Sequence, residues 1–388
     1  MRPCRSVLMV GTDPAGPGGI SAVVQGYLEG GLFERFPCVY VTTHRQGSRP
    51  LKLRTAIRGW LAVAFDLVRL PAPLVHVQMA SRASFWRKTL VCLMARARRR
   101  PYLLHVHGGE FVEFYEHECS RTAQRVVRSV LAHASLVIAL SEEWRRALAR
   151  ICPQAVIEVV PNAVRLPAAP DTSRPAPRRG ASGAASTVLF LGDVCRAKGA
   201  LDLVRAVARI AGHFPQLRLV CAGRGATEQV RALARELGVS ERVHCPGWLE
   251  RERKRAALAE AAVFALPSYA EGMPMALLEA MSWGLPVVAS GVGGIPQVIR
   301  SEVNGLLIDA GNVEGLAAAL ARLLADAELR VRLGMAARAT IEAQFALEGT
   351  LARLGAIYGR FGLTPRGSAA HALDAPCSRP LAQQAAPR

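Results

Sequence analysis

The chain has 388 residues, 51% of them apolar, which is more than one core usually supports and enough for two. Its formal charge of +19 asks for an anionic partner, but few aromatics and the lack of any finger, RNP or helix-turn-helix signature argue against nucleic acid. Nine scattered cysteines with no C-x-x-C pair argue against a disulfide framework and a zinc ribbon, and a reducing cytoplasm is the expected setting.

The surplus charge leans forward: residues 1–165 hold 23 Lys and Arg against 11 Asp and Glu, and the remainder 26 against 19. Nearly all of it is arginine, with lysine only at Lys52, Lys88, Lys198 and Lys254. Part of it reads as compositional bias, part as affinity for an anionic membrane surface or a phosphate-bearing lipid.

Met1 to Val10 reads as a strand running straight into a loop, with no long apolar core or cleavage site, so no signal peptide is expected. The loop Gly11 to Gly19 is an ordinary turn or a place where backbone approaches a diphosphate. It is neither G-x-G-x-x-G nor a P-loop. Short runs at 7–10, 38–42, 74–78, 102–106, 136–139 and 157–160 read as strands, with helical stretches near 20–31, 52–69, 84–99, 120–133 and 141–150. Trp60 to Ala80 is the most apolar candidate span, but Asp66, Arg69, Pro71 and Pro73 interrupt it, so no segment is expected to cross a membrane.

In Leu104-His105-Val106-His107-Gly108-Gly109-Glu110 the two histidines alternate with valine and so share one face of a strand. With Glu110, His117 and Cys119 nearby a metal set is conceivable, but the spacing matches no standard one, and no metal is expected. Basic residues Arg49, Lys52, Arg54 and Arg58 lead a helix that continues through Trp60, Leu61 and Phe65. Trp86, Arg87 and Lys88 open another that ends at Arg96, Arg98, Arg99 and Arg100. These stretches suit an anionic interface, or else their apolar faces are core.

Residues 166–186 are rich in Pro, Ala, Arg, Gly and Ser without periodicity and read as a linker. The alternation then restarts, with strands at 188–191, 217–221, 243–245, 263–266 and 286–289. Gly192 to Gly199 joins the first of these to a helix, and Lys198 there, with Arg196, can neutralise charge beside a helix amino terminus. Gly225 and Gly247 end the next two strands in turns. After Val263 to Leu266 the strand leaves its sheet at Pro267, and a helix follows Pro274. Glu271 therefore lies in a loop at a strand's carboxyl end and Glu279 more than a turn into the helix. The amides of Gly272, Met273 and Met275 between them sit where a helix start attracts phosphate.

Strands alternating with helices imply an α/β fold of two doubly wound parallel sheets, with ligand in the cleft at the carboxyl ends of the strands. The expected parts are a front domain at 1–165, the linker, a back domain at 187–344, a last helix at 345–362 and a disordered tail at 363–388.

The run Pro267-Ser-Tyr-Ala-Glu-Gly-Met-Pro, then Glu279-Ala-Met-Ser-Trp-Gly-Leu-Pro, then Gly293-Gly-Ile-Pro296, closely resembles the donor-site signature of retaining glycosyltransferases of family 4. The resemblance implies the GT-B fold, two Rossmann-like domains facing each other, with the last helix at 345–362 crossing back onto the front domain. It also implies that Glu271 binds donor sugar hydroxyls, Glu279 the nucleotide ribose, and His107 the sugar, while Gly18 and Gly19 face the donor phosphates. Gly225 and Gly247 fall where the family contacts the base. Lys198 falls on the lysine of the family's Gly-Arg-Leu-x-x-x-Lys-Gly; Asp193 stands in its arginine slot, with Arg196 as the substitute. Gln297 stands where the family often has glutamate, and Ala163 where Pro-Asn-Gly would have its glycine.

The reading that follows is a hexosyltransferase moving a sugar, with retention, from a nucleoside diphosphate onto a lipid-linked or glycan acceptor during surface polysaccharide synthesis. It needs no cofactor and no essential metal, and it is expected in the cytoplasm or at the inner face of the membrane. A sugar-nucleotide epimerase and a catalytically silent binding protein, which Asp193 and Gln297 would favour, are the alternatives.

Overall fold

The computed structural model describes residues 3–167 and 186–366 and contains two parallel sheets of six strands. The front sheet consists of β1 (Ser6–Thr12), β2 (Cys38–His44), β3 (Pro73–Met79), β4 (Tyr102–Val106), β5 (Leu136–Ala139) and β6 (Ile157–Val159), in the order β2-β1-β3-β4-β5-β6. The back sheet consists of β7 (Ser186–Leu191), β8 (Leu217–Ala222), β9 (Val243–Gly247), β10 (Val263–Leu266), β11 (Val287–Ser290) and β12 (Leu306–Ile308), in the order β12-β11-β10-β7-β8-β9. Each sheet therefore reverses its winding next to its first strand, between β1 and β3 in front and between β7 and β10 behind. Such switch points open a crevice at the carboxyl ends of the strands.

The strands are apolar on both faces because both faces are covered. Along β1, Val7 and Met9 join one core while Leu8 and Val10 join the other. The back sheet has one strand more than the five expected. β12 is only Leu-Leu-Ile, too short to show a period in sequence.

The chain crosses between the halves twice, and the crossings are bonded side by side. The amide of Val164 donates to Phe345 O at 3.0 Å, and the amide of Leu347 donates to Val164 O at 3.0 Å. The helix Leu347–Arg360 then lies on the front half, where Tyr358 is fully buried, edge-on to Phe36 at 5.4 Å. Leu363, placed in sequence at the start of a disordered tail, is instead packed in the core, and its amide bonds Tyr358 O at 3.2 Å. Residues 168–185 of the linker and 367–388 of the tail lie outside the described residues.

The helices Arg49–Arg69 and Ala83–Ala97 touch through Trp60, whose indole N–H donates to Arg87 O at 3.0 Å. Each exposes apolar side chains at helical spacing: Leu53, Ile57, Leu61, Phe65 and Val68 on the first, Trp86, Leu90 and Leu93 on the second. Leu61 and Phe65 are 65% and 63% exposed, so this face is not core. Among the described residues no helix is long and apolar enough to cross a membrane. The eight cysteines described are free thiols.

Candidate active site

The loops that follow β7 and β10 are held together by a glycine. Gly199 has φ 69°, and a Cβ there would run into the Pro267 carbonyl. Only glycine fits, and the contact draws the two loops together, with the Tyr269 amide donating to Ala197 O at 2.9 Å. The result sets Lys198 Nζ 2.7 Å from Glu271 Oε1, which also accepts from Ser268 Oγ at 2.8 Å. Glu271 is 7% exposed and Lys198 28%, so at the switch point of the back sheet the carboxylate is out of water while the lysine stays partly open to it.

A second close approach brings the front half in. A Cβ on Gly109 would lie 2.6 Å from both Glu271 C and Gly272 N, and one on Gly272 would lie 3.1 Å from His107 O. The His107–Gly109 loop thus rests directly on the Glu271–Gly272 backbone. Further bonds cross the cleft nearby. Asn162 Nδ2 donates to Met273 O at 2.8 Å, the Glu142 amide donates to Gln297 Oε1 at 3.2 Å, and Arg251 pairs with Glu29.

His107 stacks on His105 at 4.2 Å and bonds Gln78 Oε1 through Nε2 at 2.6 Å. Gln78 Nε2 faces His76 Nε2 at 3.3 Å, and His76 Nδ1 meets the Tyr358 hydroxyl at 2.7 Å. With the amide nitrogen of Gln78 donating to His76, its oxygen accepts from His107 Nε2–H, and this pattern assigns the tautomer. His107 Nδ1 is then a bare acceptor, buried and without a partner. Burial lowers the pKa of His107 to about 3, with the Lys88 and His76 charges adding to the effect, so the ring is neutral at ordinary pH. His105 is also buried and held well below the usual histidine range, and no group of three metal-ligating side chains converges among the described residues.

Glu279 projects from the helix Met275–Ser282 and takes Lys254 Nζ on both oxygens, at 2.7 and 2.9 Å. Pro274 caps this helix and does not enter its first turn. Met273 and Met275 point into the core, which leaves only their backbone for the cleft. Gly18 caps the helix Gly19–Glu29, and the space around both glycines is open. Gly247 ends β9 with φ 79° in open space. Gly225 is different: a Cβ there would come within 2.5 Å of Val194 O, so this glycine lets two loops touch. Beside them Arg224 lies over the half-exposed Trp248 ring at 5.7 Å. Arg196 is exposed, in the same short turn as Lys198, and among the described residues bonds neither Lys198 nor Glu271; nearby, the Tyr269 hydroxyl donates to Asp202 at 2.7 Å.

The structure thus brings Lys198, Glu271, Gly272 and His107 together, with Glu279 a helical turn and more away. Sequence reasoning missed Ser268, Lys254 and Gln78, each of which holds one of these groups through space. The scarcity of lysine was a signal for Lys254, because a lysine kept in so arginine-rich a chain marks a place where a compact charge is needed.

Residues 6–163 match the glycosyl transferase 4-like domain, and residues 177–340 match the glycosyl transferases group 1 domain. The chain is 35% identical to the lipopolysaccharide core biosynthesis glycosyltransferase LpsE of Rhizobium meliloti over 164 residues, 42% of this chain and 47% of that one. It thus spans about half of that relative's length. It is 30% identical to the 2-deoxystreptamine glucosyltransferase of Streptomyces kanamyceticus over 309 residues, 72% of this chain and 79% of the relative. In fold it resembles a sucrose-phosphate synthase from Thermosynechococcus elongatus with a TM-score of 0.76 at 22% identity, covering 92% of this chain and 99% of that one. HepE of Anabaena, solved with UDP-glucose, gives 0.73 at 20% identity over 92% of this chain and 99% of HepE.

Proposed function

Starting from the fact that the chain belongs to the glycosyltransferases of the group 1 and 4-like type, we propose that it is a retaining hexosyltransferase of surface polysaccharide assembly. Its donor is a nucleoside diphosphate sugar and its acceptor a glycan or a lipid-linked sugar. One observation carries this reading: the Lys198–Glu271 pair at the back switch point, covered by the His107–Gly109 loop. Lys198, joined by Arg196 and the loop amides of Gly272, Met273 and Met275, steadies the departing diphosphate. Glu271 accepts hydrogen bonds from donor sugar hydroxyls, with the loop of neutral His107 lying against the sugar. Glu279, oriented by Lys254, takes the ribose hydroxyls. The acceptor oxygen attacks on the face the diphosphate leaves and yields its proton to the departing phosphate oxygen. Catalysis is then positioning and charge stabilisation.

The neighbour solved with UDP-glucose and relatives named for GDP-mannose make uridine and guanosine sugars the first donors to test. Melting scans against a panel of nucleotide sugars should show stabilisation by one of them, with slow release of its nucleoside diphosphate when no acceptor is present. A chain that no nucleotide sugar stabilises, and that releases nothing, would remove the transferase reading.

The open apolar stripe on Arg49–Arg69 and Ala83–Ala97 supports work at an anionic membrane surface. Exposed Arg49, Lys52, Arg54 and Arg58 lie at one end of it and Arg96, Arg98 and Arg99 at the other. Sedimentation with vesicles tests this. Binding should need anionic lipid, fade with salt and weaken when Arg98, Arg99 and Arg100 become serine; equal binding to neutral vesicles would overturn it.

A further inference from the structure

The front switch point holds a second cluster of cations, one to which the donor reading gives no task. Lys88, in the helix Ala83–Ala97, is fully buried, and its ammonium has one hydrogen-bond partner, Ser84 Oγ at 2.9 Å. Arg87 precedes it, half-buried, with its Nε shut from water and unpartnered. Among the described residues no carboxylate pairs with either. The adjacent Arg82, in contrast, is neutralised by Glu110 and Glu118. Nor do other neighbours supply a negative charge. His44, at the end of β2, is held down to about 4 by burial and by the charges of Arg87, Lys52 and Lys88. Cys92, a turn further along the helix, is a buried thiol pushed up to about 12. Ser81, on the loop after β3, has a buried hydroxyl without a partner, and a Cβ on Gly108 would lie 2.7 Å from it. The cluster therefore meets this loop at Gly108, one residue before Gly109, which rests on Glu271.

Burying a cation without a counter-charge is expensive, and an unpaired lysine in such a place is free to lose its proton instead. Burial indeed lowers the pKa of Lys88 to about 7. A bound anion removes both costs. We propose that this cluster is a phosphate subsite in the front half of the cleft, in which Ser81, Ser84 and Arg87 meet a phosphoryl group of the acceptor with the Lys88 charge behind them. That the anion belongs to an acceptor rests on the transferase reading; that an anion binds here does not.

Calorimetry on the full chain without donor separates the two. Glycerol 3-phosphate serves as the soluble probe and dodecyl phosphate as the lipid one. Both should bind the unchanged chain, and binding at the front wall should survive in Lys198→Ala, which removes the cation that a free phosphate could also reach on the back wall. Lys88→Met, which exchanges a buried charge for an apolar side chain of similar length, should weaken both by about tenfold, the factor expected for losing one charge-assisted contact. Arg87→Gln should do the same, which guards against misfolding of one variant. Tighter binding of dodecyl phosphate supports a lipid-borne phosphate and equal binding a soluble one. Phosphate affinity untouched in both Lys88→Met and Arg87→Gln, or abolished by Lys198→Ala alone, would overturn the subsite. A chain that passes this test but releases no nucleoside diphosphate would keep its anion site and lose its assignment as a transferase.

Discussion

The two walls of the cleft treat positive charge in opposite ways. On the back wall each lysine is matched: Lys198 lies 2.7 Å from Glu271 and Lys254 reaches both oxygens of Glu279. On the front wall Lys88 and Arg87 have no carboxylate, and the nearby histidines are held neutral by burial and by those same cations. A matched wall presents few net charges, so it can grip neutral hydroxyls and still release a lysine to a phosphate that arrives with the sugar. The unmatched wall is electrically incomplete until a ligand brings an anion. The fold is the same on both sides, so the difference lies in which side chains stand at the strand ends.

The comparison is broken most directly by removing the cation of the back wall. Lys198→Ala should lower turnover by on the order of a hundredfold or more, as losing one preorganised donor does. Near-normal single-turnover rates would take Lys198 out of the chemistry. The two carboxylates of that wall should then separate by ligand. Glu279→Ala should weaken free nucleoside diphosphate and donor alike by roughly tenfold, whereas Glu271→Ala should weaken only the species carrying the sugar. Titrations in which the bare nucleotide loses equally in both variants would show the roles to be misassigned.

Acid sharpens the contrast between the walls. The folded-state values of His76 and His107 are about 3, both lowered first by burial, against about 6.5 in an unfolded chain. Below about 6.5 the unfolded chain binds protons that the folded one refuses, so stability is lost as pH falls from there toward the folded values. Each histidine contributes a slope of up to about 1.4 kcal/mol per pH unit in that window and none above it. Amide exchange between pH 7 and pH 5, corrected for intrinsic rates, should therefore accelerate in residues 3–160 ahead of 190–340; equal acceleration in both would refute it. The smallest effect is expected at Arg196, exposed and, among the described residues, bonded to neither Lys198 nor Glu271. Arg196→Ala should cost several-fold in kcat, well short of Lys198→Ala. A loss as large as that of Lys198 would show that the exposed side chain swings in when donor binds.

Much of this was legible in the sequence, for physical reasons that differ from place to place. The parallel strands show as unbroken apolar runs because both faces are covered, and the Glu271-to-Glu279 stretch shows because loop, proline and helix are consecutive. Lys198 could be read off its loop. What it touches could not, since β7 and β10 become neighbours only through the strand order of the sheet. The same holds for Lys254 at Glu279, and for Gln78, which fixes the ring of His107 from the adjoining strand. The helical period of 53–68 was visible, but whether its apolar side faced core or solvent depended on what packs there, and among the described residues nothing does.

The paired crossings at Val164 and at Phe345 to Leu347 decide how the two halves can move. Two adjacent connections bonded to one another resist sliding and leave rotation about the edge they share, as a door turns on its pins. Asn162, next to that axis, bonds Met273 O, and the contact of Gly109 with Glu271 and Gly272 lies one residue away on the same loop, so both meet the other half close to the pins. A single methyl group at position 109 would then work as a doorstop: each half would keep its shape, and the cleft would stand permanently ajar, admitting donor yet letting water in with it.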